Sequence, residues 1–273
     1  MKGSNFLKNC LKINYIIISL LIIGSCYCFV LPAQATNDTV FVHNISNEPK
    51  CAIQAVTEFY SGNFDKAYAL INEAIKLQPN SARFYNTRAL IKTALKDYTG
   101  AFEDYAYSIF LETDYPTPYY NRANLLRDLG YYEKAIADYN TAIALNYDGD
   151  GAYINRGFIK LEHLQDIEGA FSDFDTAIKM GFENEGAYYG RAVCNYHKQF
   201  YNNTISDATK AILLQYRNPD AYLIRAQAKI QLKQIPSGLQ DLEWAEQQYN
   251  MLGDKAGARR AKNLYIYYFK RTY

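Results

Sequence analysis

The chain has 273 residues, 49% hydrophobic and 21% charged, the balance of a soluble protein of one or two domains. Net charge is +1; three of the 29 Lys and Arg lie in the first 35 residues, leaving 26 against 28 acidic residues, or −2. That gives no basis for nucleic-acid binding, which needs a clustered basic face.

Residues 1–12 are mostly polar with three lysines, and INYIIISLLII (13–23) is an apolar run of signal-peptide length. Ala33-Gln34-Ala35 is a small-residue cleavage signal, so 1–35 reads as a signal peptide cut after Ala35. Two alternatives stay open. The apolar stretch from Tyr15 to Leu31 is just short of the ~20 residues of a spanning anchor, and Cys26 after Ile23-Gly24-Ser25 loosely resembles a lipoprotein box. The segment has a bacterial style and predicts an exported, periplasmic or otherwise extracytoplasmic protein, with N-terminal anchoring as the alternative. Polar residues 36–47 read as a flexible lead-in. Beyond the leader only Cys51 and Cys194 remain, in distant units, so two free, mostly buried thiols are expected and no disulfide.

From residue 48 the chain repeats itself. The unit YYNRANLLRDLGYYEKAIADYNTA, from Tyr119 to Ala142, reads as two helices broken at Gly130. Arg88, Arg122, Arg156, Arg191 and Arg225 follow one another at 34 or 35 residues, and so do Asp104, Asp138, Asp173, Asp207 and Asp241. A fixed period of this size marks a repeat architecture. The units run 48–81, 82–115, 116–149, 150–184, 185–218 and 219–251. The first lacks both members of the pair, with Gln54 and Leu70 in their places. Their joint loss predicts that each Arg forks onto the Asp of its own hairpin and fixes the register. The fourth unit has one extra residue near Glu162-His163-Leu164, read as a loop insertion. The fifth has Gln199 for the turn glycine and Thr204 for an inner alanine. The sixth has Pro236 in the first turn of its second helix and Gly238 at a packing position. Residues 252–273 hold a last helix, read as a cap, with Ala258, Ala261, Leu264, Ile266 and Tyr267 partly facing the stack and Arg259, Arg260 and Lys262 toward solvent.

Ala123, Gly130, Tyr132, Ala135, Tyr139 and Ala142, with Ala55, Gly62, Phe64, Ala67, Ile71, Ala74 and Pro79 in the first unit, resemble the signature of the tetratricopeptide repeat (TPR) family. The resemblance covers roughly residues 48–251 and implies an all-α fold. The expected form is a right-handed α-solenoid of about six helix-turn-helix units plus a C-terminal capping helix, thirteen helices in all. It also implies that the first helix of each unit lines a concave face. Counting along those helices puts Asn86 and Leu90, then Tyr120, Asn124 and Arg127, then Ile154 and Phe158, then Tyr189, Val193 and Tyr196, then Leu223, Gln227 and Ile230 toward the groove. Rings in the middle and amides toward one end suit a protein or peptide partner, held as an extended segment or a helix. One family subtype clamps acidic chain ends of chaperones with lysines, asparagines and an arginine. Here Asn121 and Asn155 fit, but Gly186 and Gly190 supply no cation, so that activity is not expected.

His43, His163 and His197 form no zinc motif, and no phosphate loop or nucleophile motif occurs. The sequence therefore predicts no enzyme, no cofactor, no metal site and no membrane contact beyond the leader. It predicts a non-enzymatic scaffold that supports assembly of an envelope or membrane complex. The alternative is a self-associating module using the convex face or terminal helices. Oligomeric state is left open.

Overall fold

In the computed structural model of the protein the described residues are 48–214 and 219–272. The leader 1–35 and the lead-in 36–47, with His43, lie outside them. Among the described residues there are thirteen α-helices and no strand. They form six hairpins: α1 (Lys50–Tyr60) with α2 (Phe64–Leu77), α3 (Ala82–Ala94) with α4 (Tyr98–Leu111), and α5 (Pro116–Asp128) with α6 (Tyr132–Ala144). These continue as α7 (Gly151–Glu162) with α8 (Ile167–Lys179), α9 (Glu185–His197) with α10 (Tyr201–Leu214), and α11 (Pro219–Gln231) with α12 (Ile235–Met251). The thirteenth helix, α13 (Lys255–Thr272), packs on α12. The fold is an all-α solenoid, and one hairpin falls in each of the six intervals read from the sequence.

Each hairpin turns on one residue with positive φ: Gly62, Lys96, Gly130, Gln165, Gln199 and Lys233. The left-handed residue lets the amide three positions past the helix end reach back to a carbonyl five residues earlier, as Tyr131 does to Leu126 at 2.8 Å. Glycine adopts this conformation without penalty, whereas Gln199 adopts it with a φ of 62° against the steric cost of a Cβ. In the fourth unit the return bond runs from Asp166 to Lys160, six residues back, so the extra residue is absorbed in the last turn of α7. His163 is also re-aimed there, stacking on Tyr132 of the preceding unit with ring centroids 3.7 Å apart.

Alanines fill the seam of five of the six hairpins, and in α7–α8 the buried Gly157 stands with Ala170. Ala55 and Ala67, Ala89 and Ala101, Ala123 and Ala135, Ala192 and Ala208, and Ala226 and Ala245 are all fully buried. Small side chains allow close helix packing, and the core forms a series of local clusters instead of one centre. Thr204 is buried in the same seam and satisfies its hydroxyl on the Phe200 carbonyl at 3.1 Å. Gly238 is needed for space, because a Cβ there would stand 2.7 Å from Ile230.

All five Arg–Asp pairs are bidentate, with Nε and Nη2 of each arginine donating to the two carboxylate oxygens at 2.5–2.9 Å. Four of the arginines also reach backward. Nη1 of Arg88, Arg156, Arg191 and Arg225 donates to Asn72, Asn140, Asp175 and Thr209, each on the second helix of the preceding unit. The pair therefore fixes the hairpin and ties it to its neighbour. Cys51 and Cys194 are free and buried.

The cap differs from its expected phase. Ala258 and Ala261 are buried, and Leu264, Tyr265 and Tyr268 pack against them. Ile266 and Tyr267, expected to face the stack in part, are 39% and 50% exposed. Positions 258, 261, 265 and 268 follow the three-and-four spacing of one helical stripe, and 266 and 267 fall off it. Arg260, expected toward solvent, donates to Asp220 and to the Tyr249 hydroxyl.

Candidate functional site

The first helices form the inner layer. α1, α3, α5, α7, α9 and α11 each touch the next in that series, while the second helices pack chiefly on their sequence neighbours. A ribbon whose odd helices converge and whose even helices splay is concave on the odd side, so the face expected to bind lies inward.

The expected residues divide by burial. Leu90, Tyr120, Asn124, Arg127, Phe158, Tyr189, Val193, Tyr196 and Gln227 are partly exposed on this face. Ile154 is 1% exposed, and Leu223, Ile230 and Asn86 are also buried. These four support the wall and offer no open surface, a correction to the expected lining. The reason is that neighbouring first helices approach closely enough to cover the flank of each inner stripe.

The exposed members are held in place by one another. Tyr120 stacks on Tyr147 with centroids 4.3 Å apart. Phe158 meets the buried Phe174 edge-on at 4.9 Å and lies 6.5 Å from Tyr189. Val193 and Tyr196 pack against Ala192, Ala208 and Ile224. The amides form a chain of their own. Asn121 donates to Asn86 at 3.0 Å, and Asn124 accepts both the Asn155 amide at 2.9 Å and the Tyr139 hydroxyl at 2.6 Å. Asn121 and Asn155, the two amides that fitted a chain-end clamp, thus spend donors inside the protein. Gly190, where that clamp lacks a side chain, is occupied from below, since a Cβ there would stand 2.3 Å from the Phe174 ring.

One cluster escaped the sequence reading. The Tyr249 hydroxyl donates to Asp220 at 2.5 Å, and Arg260 donates to both Asp220 and Tyr249 at 3.1 and 2.8 Å. Burial raises the Tyr189 phenol above its ordinary range, and the Asp220 charge adds to this. The carboxyl of Glu162, an exposed residue at the end of α7, is also raised, first because the surrounding protein displaces water from it, with a further push from Asp220 and an opposing pull from Arg127. Arg127, Glu162, Tyr189, Asp220, Tyr249 and Arg260 are thus linked pair by pair, Arg127 through Glu162 and the rest around Asp220, and are drawn from α5, α7, α9, α11, α12 and α13. The available signal was aperiodicity. Asp220 follows Arg83, Thr117, Gly151 and Gly186 at the same place in earlier units, so it belongs to no repeat pattern.

Among the described residues no group of three or more His, Cys, Asp or Glu could hold a metal ion. His163 has its proton affinity lowered by burial, and the Cys194 thiol is pushed up to about 12 by burial, which leaves it a poor nucleophile. What the inner face offers is shape, rings, amides and a local cluster of both charges.

Comparison with known proteins fits this geometry. Residues 54–114 and 116–148 match two sequence patterns, each described as tetratricopeptide repeat. Solved structures agree along most of the chain. pilF of Pseudomonas aeruginosa superposes with a TM-score of 0.70 over 78% of this chain and 95% of that one, at 13% identity. YrrB, a TPR protein with an unusual peptide-binding site, gives 0.59 over 71% and 97%, at 16% identity.

The chain is a tetratricopeptide repeat protein.

Curated TPR relatives match over shorter spans. The TPR repeat-containing thioredoxin TDX of Arabidopsis thaliana is 31% identical over 102 residues, 37% of this chain and 26% of that protein. The human DnaJ homolog subfamily C member 7 is 33% identical over 85 residues, 30% and 17% respectively. This TPR chain therefore spans only a sixth to a quarter of those relatives, and the likeness belongs to their repeats.

Proposed function

We propose that this TPR protein is a non-enzymatic scaffold that holds an extended segment or a helix of a partner protein in its concave groove. TPR repeats are protein-interaction scaffolds, and the observation that carries the finer reading is the recurrence of partly exposed Tyr120, Phe158 and Tyr189 on successive inner helices. Rings fixed by their own packing lose little entropy on contact, which favours them as anchors. Leu90, Val193 and Gln227 extend the same face on either side. Residues 1–35, read as an export leader, support a place in the assembly of an envelope or membrane complex.

The test is crosslinked partner capture in the native host with the wild-type chain and with Tyr120→Ala, Phe158→Ala and Tyr189→Ala combined. The expected result is loss of a specific partner, with helicity by circular dichroism unchanged. Undiminished capture by the folded triple variant contradicts the groove assignment.

A further inference from the structure

The ladder of arginines has one incomplete rung. Position 106 is the repeat equivalent of Asn72, Asn140, Asp175 and Thr209, the acceptors that take Nη1 of the other four arginines, and it holds Ala106. Nη1 of Arg122 has no acceptor among the described residues. A second substitution falls at the same rung. Asp104, Asp173 and Asp241 each take a lysine four residues after the arginine, Asp207 takes Asn195, and Asp138 faces Leu126 there. The Arg122–Asp138 pair is consequently the most exposed of the five, at 25% and 12% of its side chains.

A cavity of about 540 Å³ opens at this rung, lined by Phe102, Arg122, Leu126, Tyr131, Lys134, Ala137 and Asp138. It lies between α4 and the α5–α6 hairpin, and none of the residues expected in the concave groove lines it. Its volume is within the range of sites that enclose a small ligand or a few side chains. Arg122 and Asp138 neutralise each other, so the remaining charge is that of Lys134. Its ammonium lies 5.5 Å from the centre of the Tyr131 ring and has no carboxylate partner among the described residues. An apolar wall, an unused guanidinium N–H and one uncompensated cation ask for an oxygen acceptor with negative charge attached to an apolar body.

We propose that this cleft docks a partner segment presenting an Asp or Glu side chain beside a bulky apolar residue, the carboxylate completing the missing rung on Arg122 Nη1. The neighbouring rungs show the chemistry, because Asp175 fills that place for Arg191 from within the chain. The groove reading does not enter this argument, and either can fail alone.

The test is fluorescence anisotropy of the full chain with a labelled pentapeptide, Gly-Asp-Leu-Phe-Gly, blocked at both ends. Two variants are compared: Ala106→Asn, which supplies the internal acceptor found in other units, and Lys134→Gln, at an exposed position. The expected result is saturable binding to the wild type, weakened about tenfold or more by Ala106→Asn, by Lys134→Gln, and by lysine in place of the peptide's aspartate. No saturable binding, or equal binding by both folded variants, overturns the proposal. Tighter binding of Gly-Leu-Phe with a free carboxyl end assigns the cleft to a chain terminus and overturns the side-chain reading.

Discussion

At the residue scale the repeating Arg–Asp pair sets most of the geometry, and its rungs are unequal. Asp173 accepts from Arg156 and Lys160, whereas among the described residues Asp138 accepts from Arg122 alone. Removing a partner from a buried ion pair costs ~3–5 kcal/mol because the remaining charge is stranded. Asp173→Ala strands two cations and is expected to cost that much. Asp138→Ala strands one, in a wetter place, and is expected to cost roughly 1.5–3 kcal/mol. Urea unfolding of the two variants checks the order, and equal losses contradict it. Glu162 supplies a pH test. Its carboxyl is raised in the folded state, by partial loss of water around it first and by Asp220 next, although the residue is exposed. Folding therefore favours its protonated form. Its contribution is most favourable below the ordinary glutamate pKa of about 4.3 and is lost as pH rises through the folded value. Glu162→Gln removes this dependence, so its stability relative to the wild type is expected to grow across that window and then level off. A difference that stays constant with pH contradicts the placement. The Arg–Asp pairing was legible because identical letters recur. The backward contacts to Asn72, Asn140, Asp175 and Thr209 were not, because four positions share an oxygen acceptor and no common residue.

At the element scale the period specifies the hairpins, and the turns carry the small differences. Lys96, Gln165, Gln199 and Lys233 occupy the left-handed place held by glycine at Gly62 and Gly130. Gln199→Gly relieves ~1–2 kcal/mol of steric cost and adds ~0.5–1 kcal/mol of unfolded-state entropy. The expected net is a stabilisation of roughly 0.5–1 kcal/mol, and Gly130→Ala is expected to lose about 1 kcal/mol. Thermal melts of the two variants should move in opposite directions; movement in the same direction contradicts the account of the turns. Helix positions were legible from alanine spacing and from glycine at the break. The phase of α13 was less so. A terminal helix with four tyrosines or phenylalanines between Tyr265 and Phe269 carries apolar residues all round, so composition did not reveal which stripe packs. The structure selects Ala258, Ala261, Tyr265 and Tyr268 because small residues must meet α12 closely.

At the scale of the whole molecule, local contacts make a ribbon whose inner face is lined by first helices, and that inner face is the proposed binding surface. The exposed residues of the proposed groove were partly legible. Helical spacing found Tyr120, Phe158 and Tyr189, but it also nominated Ile154 and Asn86, which neighbouring helices cover. Spacing along one helix carries no information about how closely the next helix approaches. It also missed Asp220, Tyr249 and Arg260, which meet only because α11, α12 and α13 pack together. Site-resolved photo-crosslinking in the native host tests the central claim most directly. A photo-reactive residue is placed in turn at Leu90, Val193 and Gln227 on the inner helices and at Glu73 on the exposed side of α2. The groove account predicts one and the same partner band from the three inner positions and none from Glu73. A band from Glu73 with silence at all three inner positions contradicts it.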